Sequence, residues 1–231
     1  MQSLDLLANN LANAATTGYK QDQEFYGLYA SADAEAAAGS MLQTLPVVER
    51  EWTDFSPGTL QVTGNPLDVA LVGSGFFVVN GSNGPLYTKN GSLQVLGSGE
   101  LGTSEGLPLL GVDGKPIHVA SGQAIEISPE GFVRQNGQTT GQLATVSFKS
   151  LGPLKKLAGT CFQNTDANNA AAPAAGVTVQ QGKLESSNVP VATSAMRLVG
   201  MMRQFEMLQK AIGISTEMDT KTIQEVARVG S

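Results

Sequence analysis

Few residues in this chain are of a type and spacing that could do chemistry. Gly102-Thr103-Ser104-Glu105-Gly106 carries the Gly-x-Ser-x-Gly pattern of a nucleophile elbow, which presents a serine for acyl transfer when a strand precedes it and a helix follows. Leu107-Pro108 follows instead, and the single histidine, His118, comes fourteen residues after the serine with Asp113 between. A nucleophile, acid and base so compressed do not fit a strand-to-helix turn, so the segment reads as a surface turn. Gly73-Ser74-Gly75 lacks the third glycine of a dinucleotide loop and runs into Phe76-Phe77-Val78-Val79, which is strand-like; a hairpin or bulge is expected there. Asp68 and Glu130 could be called a glycosidase pair, but so could any two of the 20 acidic residues. His118 has no evident companion ligands for a metal. Cys161, the single cysteine, excludes an intrachain disulfide or a cysteine zinc cluster and reads as a small buried apolar residue. Neither an enzyme activity nor a cofactor is expected.

Composition narrows the remaining classes. The chain has 231 residues, enough for one large or two modest domains with real cores. Its 27 glycines, set against 8 Phe, 4 Tyr and 1 Trp, point to turn-rich β structure. A net charge of −6 with no Lys/Arg cluster offers no surface for a phosphate backbone, so nucleic acid is not an expected partner. The first lysine is Lys20, and Asn9 and Asn10 interrupt any apolar core of a signal peptide. There is also no apolar run of about 18 residues, so no membrane-spanning helix is expected.

The elements that would position any functional surface lie in three blocks. Leu4, Leu7, Leu11 and Ala14 fall on one stripe of a helix of about four turns, with Gly18 as its natural stop. The alanine-rich segment from Ala30 to Ser40 reads as a linker or a loosely packed helix. From about Pro46 to Leu184, short β-favouring runs alternate with Asn80-Gly81, Asn83-Gly84, Asn90-Gly91, Asp113-Gly114 and Asn136-Gly137, dipeptides that adopt the positive φ angles of tight hairpins. An antiparallel β domain with local connections follows, without βαβ units. Asn164 to Gly176 reads as an exposed loop.

After Asn188, a candidate helix cap, and Pro190, suited to a first turn, the apolar pattern becomes helical. Leu198, Met201, Phe205, Leu208, Ile212, Ser215, Asp219, Thr222, Val226 and Val229 alternate spacings of three and four, a heptad seam that turns polar from Ser215 to Thr222. Glu206 with Lys210 and Glu217 with Lys221 form favourable i,i+4 pairs on the solvated side. Gly200 and Gly213 each cost about 1 kcal/mol in a helix interior, so each marks a close approach or a flexible point. Met196, Met201, Met202, Met207 and Met218 could form an adaptable binding surface, although seam packing accounts for Met201. The expected fold is therefore mainly β with terminal α-helices. The β domain is inserted between N- and C-terminal helices that pair as a coiled-coil-like hairpin. The blocks are residues 1–30, a linker 31–45, the β domain 46–184 and the heptad helix 185–231.

Asn9-Asn10-Leu11-Ala12-Asn13, followed by Thr17-Gly18-Tyr19-Lys20, resembles the N-terminal signature of flagellar rod and hook proteins. Asn65-Pro66-Leu67-Asp68-Val69-Ala70-Leu71 resembles the opening of that family's β domain. Leu184-Glu185-Ser186-Ser187-Asn188-Val189 and Arg203-Gln204-Phe205-Glu206 are similar to its closing helix. Within the flagellar basal-body rod family, Ser56-Pro57-Gly58-Thr59-Leu60 looks most like a proximal-rod subunit, with a distal-rod or hook paralogue as the alternative. The resemblance implies a structural subunit that polymerises into the axial tube of the bacterial flagellum, transmitting torque and passing exported subunits. It implies export through the flagellar type III apparatus without a cleaved signal, and assembly in the periplasm with itself and other rod and hook-basal-body subunits. Leu4, Leu7, Leu11, Ala14, Leu198, Met201, Phe205, Leu208 and Ile212 are then the expected helical interface. The family's N-terminal helix is usually longer than the eight residues that precede Asn9 here, which suggests a truncated N-terminus or an incomplete tube lining. A competing expectation is a monomeric extracytoplasmic module whose sheet exposes aromatic residues to glycan or peptidoglycan.

Overall fold

The computed structural model describes residues 2–30 and 44–229. Most of the 31–45 linker therefore lies outside the described residues. The chain divides into two units, Asn13–Val189 on the one hand and Met1–Ala12 with Pro190–Ser231 on the other.

The second of these units is helical. It contains α1 (Gln2–Ala12) and α2 (Val191–Val229), which lie against each other. Helix α1 is shorter than the periodicity predicts. It stops at Ala12, and Ala14 falls in the turn beyond it rather than on its stripe. Asn13 supplies the reason: its side-chain oxygen accepts the Thr16 hydroxyl at 3.3 Å and its carbonyl accepts the Thr16 amide at 3.0 Å, giving the backbone a local alternative to another helical turn.

The unit Asn13–Val189 is built from short antiparallel strands. Along the chain they are β1 (Asp22–Ala30), β2 (Thr44–Thr53), β3 (Leu60–Val62), β4 (Val69–Val72), β5 (Phe76–Gly81) and β6 (Gly84–Thr88). There follow β7 (Leu93–Val95), β8 (Leu101–Thr103), β9 (Glu126–Ile127), β10 (Phe132–Gln135), β11 (Gln138–Gln142) and β12 (Thr145–Ser147). The last are β13 (Leu154–Ala158), β14 (Cys161–Asn164), β15 (Ala172–Pro173), β16 (Thr178–Gln181) and β17 (Lys183–Glu185). Strand β1 precedes the span in which turn dipeptides signal β structure; it is a strand because β2 pairs with it along its whole length.

A six-stranded sheet, ordered β13-β14-β6-β5-β12-β15, forms the middle of the unit. The run Phe76-Phe77-Val78-Val79 in β5 is buried at every position. Successive side chains point to opposite faces of a strand: Phe77 and Val79 enter a large aliphatic core with Val69, Leu101, Leu109, Val133 and Leu143, while Phe76 and Val78 enter a second, aromatic one. There Phe55, Phe76, Phe148, Phe162 and Tyr87 meet edge-to-face or tilted, with ring centroids 4.7–6.2 Å apart. The sheet is covered on both sides, so its central strand reads as a continuous apolar run rather than an alternating one. Cys161 belongs to the aliphatic core, and burial together with the Glu105 carboxylate pushes its thiol up to about 12, so it stays protonated at neutral pH.

The turn chemistry holds in part. Asn136 and Gly137 both have positive φ, 51° and 76°, and join β10 to β11 as a two-residue hairpin. Between β5 and β6 the loop residues are Ser82 and Asn83, flanked by a Gly81–Gly84 pair. Gly91 is not a turn glycine at all: a Cβ there would lie 1.6 Å from the Val69 carbonyl oxygen, so the position serves close backbone approach. The predicted loop from Asn164 to Gly176 contains the short strand β15.

Two pairings are not local. β3 pairs with β17 and β4 pairs with β16, so the beginning of the β region is hydrogen-bonded to its end. This closure brings residues 18–21 and 185–188 together.

Candidate functional site

Three of the segments carrying the family resemblance converge on one buried polar clasp within the β unit. Gly18, Tyr19 and Lys20 are buried, and Lys20 is fully inaccessible. Its ammonium donates to the Glu185 carboxylate at 2.5 Å and to the Ser56 carbonyl at 2.7 Å. The same Glu185 oxygen accepts the Gly58 amide at 2.9 Å, and the Glu185 backbone carbonyl accepts the Gly18 amide at 2.7 Å. Lys89 stands 4.0 Å from the other carboxylate oxygen and donates to the Gly73 carbonyl at 2.8 Å. Burial pushes its ammonium below the ordinary lysine value; Glu185 opposes that shift and Lys20 adds to it.

A second layer closes over the first. Lys156 lies 4.0 Å above the Tyr19 ring and donates to the Lys20 carbonyl at 2.7 Å and to Asp22 at 2.6 Å. Burial raises the Tyr19 hydroxyl far above its usual value, and Asp22 adds to the effect, so the ring is a neutral seat for that cation. Asn188, expected to cap α2, does not. Its side-chain oxygen accepts the Gln21 amide at 2.8 Å, and its amide group donates to the carbonyls of Asp54 and Ser56. Helix α2 starts instead at Val191, with the Pro190 carbonyl taking the Ser194 amide. Asp54 sits beside this contact. Burial alone would raise its carboxyl, but hydrogen bonds from Ser56 and Gln21 and the Lys20 charge outweigh it, and the net direction is downward.

Gly18 shows why that position is glycine. Its φ is +68°, and a Cβ would come within 2.5 Å of the Asn90 backbone nitrogen. Gly18→Ala is expected to destabilise the β unit by about 1–3 kcal/mol from the backbone conformation alone, with the steric clash adding to this. A thermal melt of the full chain checks it; an unchanged midpoint would show that the clasp is not closely packed there.

The remaining family-motif residues divide. Asn9 and Ala12 are exposed, Asn10 is buried, and Leu11, Asn13 and Thr17 are half-buried. Among the expected helical interface residues, Leu4, Leu7, Leu11 and Ala14 are half-buried, as are Leu198 and Met201. Phe205, Leu208 and Ile212 are 44%, 62% and 67% exposed. Length explains the split. The 11 residues of α1 span about 16 Å and the 39 of α2 about 58 Å, so α1 reaches only a fraction of the seam. No described helix is long and apolar enough to cross a membrane.

The elbow-like segment has no elbow. Strand β8 ends at Thr103 and the chain turns back at once, with the Thr103 carbonyl accepting the Gly106 amide at 2.9 Å. His118 is exposed beside Glu100, 3.8 Å away. Asp68 is buried and accepts from Asn65, whereas Glu130 lies in solvent. Five aromatic rings, Phe55, Phe76, Tyr87, Phe148 and Phe162, pack on one another in the second core, while Trp52 is 46% exposed.

A β unit tied at one point where its two chain ends meet, with terminal helices carrying an open apolar seam, has the architecture of a structural subunit. The comparisons agree. Residues 70–135 match the family described as Flagellar hook protein FlgE/F/G D1 domain, and residues 180–225 match Flagellar basal body rod FlgEFG protein C-terminal. The chain is 31% identical to the flagellar basal-body rod protein FlgG of Buchnera aphidicola subsp. Acyrthosiphon pisum, covering 96% of this chain and 93% of that one. It is 33% identical to FlgF of Salmonella typhimurium, over 89% and 84%, and 27% identical to FlgF of Caulobacter vibrioides, over 99% and 93%. The chain belongs to the flagellar basal-body rod protein family.

Proposed function

We propose that this chain is a structural subunit of the flagellar rod that polymerises through its terminal helices. The observation that carries the reading is the seam itself: Phe205, Leu208 and Ile212 project from α2 beyond the reach of α1 and are exposed in the single chain. Large side chains repeated at heptad spacing and left in water are stabilised by burial at roughly 25 cal/mol per Å2 of apolar area, and a neighbouring subunit supplies that burial. In the assembled state α1 and α2 pair as a coiled-coil-like hairpin and line the tube, and the β region forms the outer lobe. Strand addition is a poor alternative route to assembly. One edge strand of the central sheet, β13, carries Lys155 and Lys156, and the other, β15, carries Pro173, the residues that blunt sheet edges.

The motif around Ser56-Pro57-Gly58 supports a proximal-rod position. The subunit travels through the flagellar export apparatus without a cleaved signal, assembles in the periplasm against other rod subunits and performs no catalysis. Deleting the gene from its host is expected to leave cells without hooks, and expressing the full chain is expected to restore them. Hooks at normal number in the deletion strain, counted by electron microscopy, would refute the reading.

A further inference from the structure

Helix α2 has apolar side chains that the seam does not absorb. At about 100° per residue, Leu198, Met201, Met202, Phe205, Leu208 and Ile212 cluster on one face. Met196, Met207, Ile214 and Met218 fall about 160–200° away from Leu198 by the same helical rule, on the opposite face. They are 68%, 64%, 51% and 65% exposed. Gly200 lies on this second stripe, where an added methyl would meet no atom of the chain within 4 Å. One partner helix can cover one face only, so α1 cannot serve both.

We propose that the methionine stripe is a second docking face and that its occupant is the seam face of another copy of this chain. The proposal rests on the rod-subunit reading and gives it a polarity. Two different patches on opposite sides of one helix make a heterologous contact, face one of a copy on face two of the next, and such contacts extend without closing. A seam that merely met its own twin would stop at a dimer.

Charge identifies the occupant as another copy. One flank between the two faces carries Arg203, Glu206, Lys210, Glu217 and Lys221, all exposed and alternating in sign. A parallel copy shifted by about one helical turn, roughly 5.4 Å, sets Glu206 level with Lys210, Glu217 with Lys221 and Arg203 with Glu206. The same flank, with three cations against two anions, is nearly neutral and poorly suited to an anionic lipid surface, which attracts dense basic clusters. Methionine suits a face that must conform to a neighbouring helix, because its unbranched side chain fills irregular gaps.

Cysteine cross-linking tests the polarity, and the buried, protonated Cys161 leaves the native background silent. Full-length Met207→Cys and Leu208→Cys chains, tagged differently, are mixed and treated with a short bismaleimide. Heterodimers are expected to exceed either homodimer. Ile214→Asp added to the Met207→Cys chain is expected to reduce them about tenfold or more, since a charge then enters an apolar contact. Homodimers of Leu208→Cys as abundant as the heterodimer would show a seam-on-seam contact and overturn the proposal while leaving the rod reading intact. Absence of any cross-link between chains that still sediment as a polymer would also overturn it. If the wild-type chain does not self-associate at all, both readings fall. Binding of the wild-type chain to phosphatidylglycerol vesicles that Met207→Asp abolishes, without heterodimers, would assign the stripe to lipid instead.

Discussion

Leu208→Asp is expected to abolish incorporation of the subunit into the rod while leaving residues 13–189 folded. Leu208 is 62% exposed in the single chain, so the substitution removes no intrachain core contact and costs only the modest helix propensity difference between leucine and aspartate, at most about 0.7 kcal/mol. On the proposed mode of assembly, the same position is buried against a neighbour in the polymer. An unpaired carboxylate there costs several kcal/mol per contact, and a polymer repeats that cost at every subunit. The expected phenotype is complete loss of motility with normal protein abundance. The measurement is swarming on soft agar together with a thermal melt of the purified variant. Swarming at the wild-type rate would show that the seam does not hold the assembly; a collapsed melt would show that Leu208 has an intrachain role that its exposure does not reveal.

Glu185→Ala should have the largest effect on the subunit itself. Glu185 is the carboxylate that faces both Lys20 and Lys89, and all three side chains are buried. Its removal leaves the Lys20 ammonium with only the Ser56 carbonyl, and leaves the Gly58 amide without its acceptor. Breaking a buried pair by deleting one partner costs about 3–5 kcal/mol, which corresponds to a fall in melting temperature on the order of 10 °C for a domain of this size. Replacing both partners separates charge from shape: Lys20→Met with Glu185→Leu is expected to recover most of the loss, because a well-packed apolar pair is often as stable as a buried ion pair. Lys89 keeps its bond to the Gly73 carbonyl in that variant. A single Glu185→Ala chain that melts within about 2 °C of wild type, under 1 kcal/mol by the same relation, would show that the β3–β17 and β4–β16 ladders close the unit unaided.

These two outcomes separate assembly from folding. The seam is proposed to act between subunits, the clasp lies within one, and the two sites share no residue. The clasp lies between residues 18–21 and 185–188, next in sequence to the places where α1 ends and α2 begins.

Part of this was readable from the chain alone. The three-four spacing of Leu198, Met201, Phe205, Leu208 and Ile212 specifies a helix, and α2 indeed runs from Val191 to Val229. Asn136-Gly137 specifies a tight hairpin because the pair tolerates positive φ at both positions. Phe76-Phe77-Val78-Val79 specifies a strand buried on both faces. Each of these signals acts over a few residues, where the backbone geometry of the next turn or pleat is the only unknown.

Other expectations failed where a distant partner intervened. Asn188 looked like a helix cap, but the Gln21 amide and the Asp54 carbonyl compete for its side chain and hold it. Gly91 followed an asparagine as a turn glycine would, yet its lack of a side chain serves the Val69 carbonyl. Lys20 read as the basic end of a motif, with nothing nearby in sequence to suggest full burial; its counter-ion is 165 residues away. The sequence by itself determined the helices, the hairpins and which face of each element is apolar, because periodicity and turn chemistry are properties of neighbouring residues. Only the tertiary structure decided which charges are buried, which ladders close the β unit and how much of the seam stays open. The first two depend on chain closure across more than a hundred residues, and the third on how far along α2 the shorter α1 lies against it; no pattern within a single element encodes such pairings.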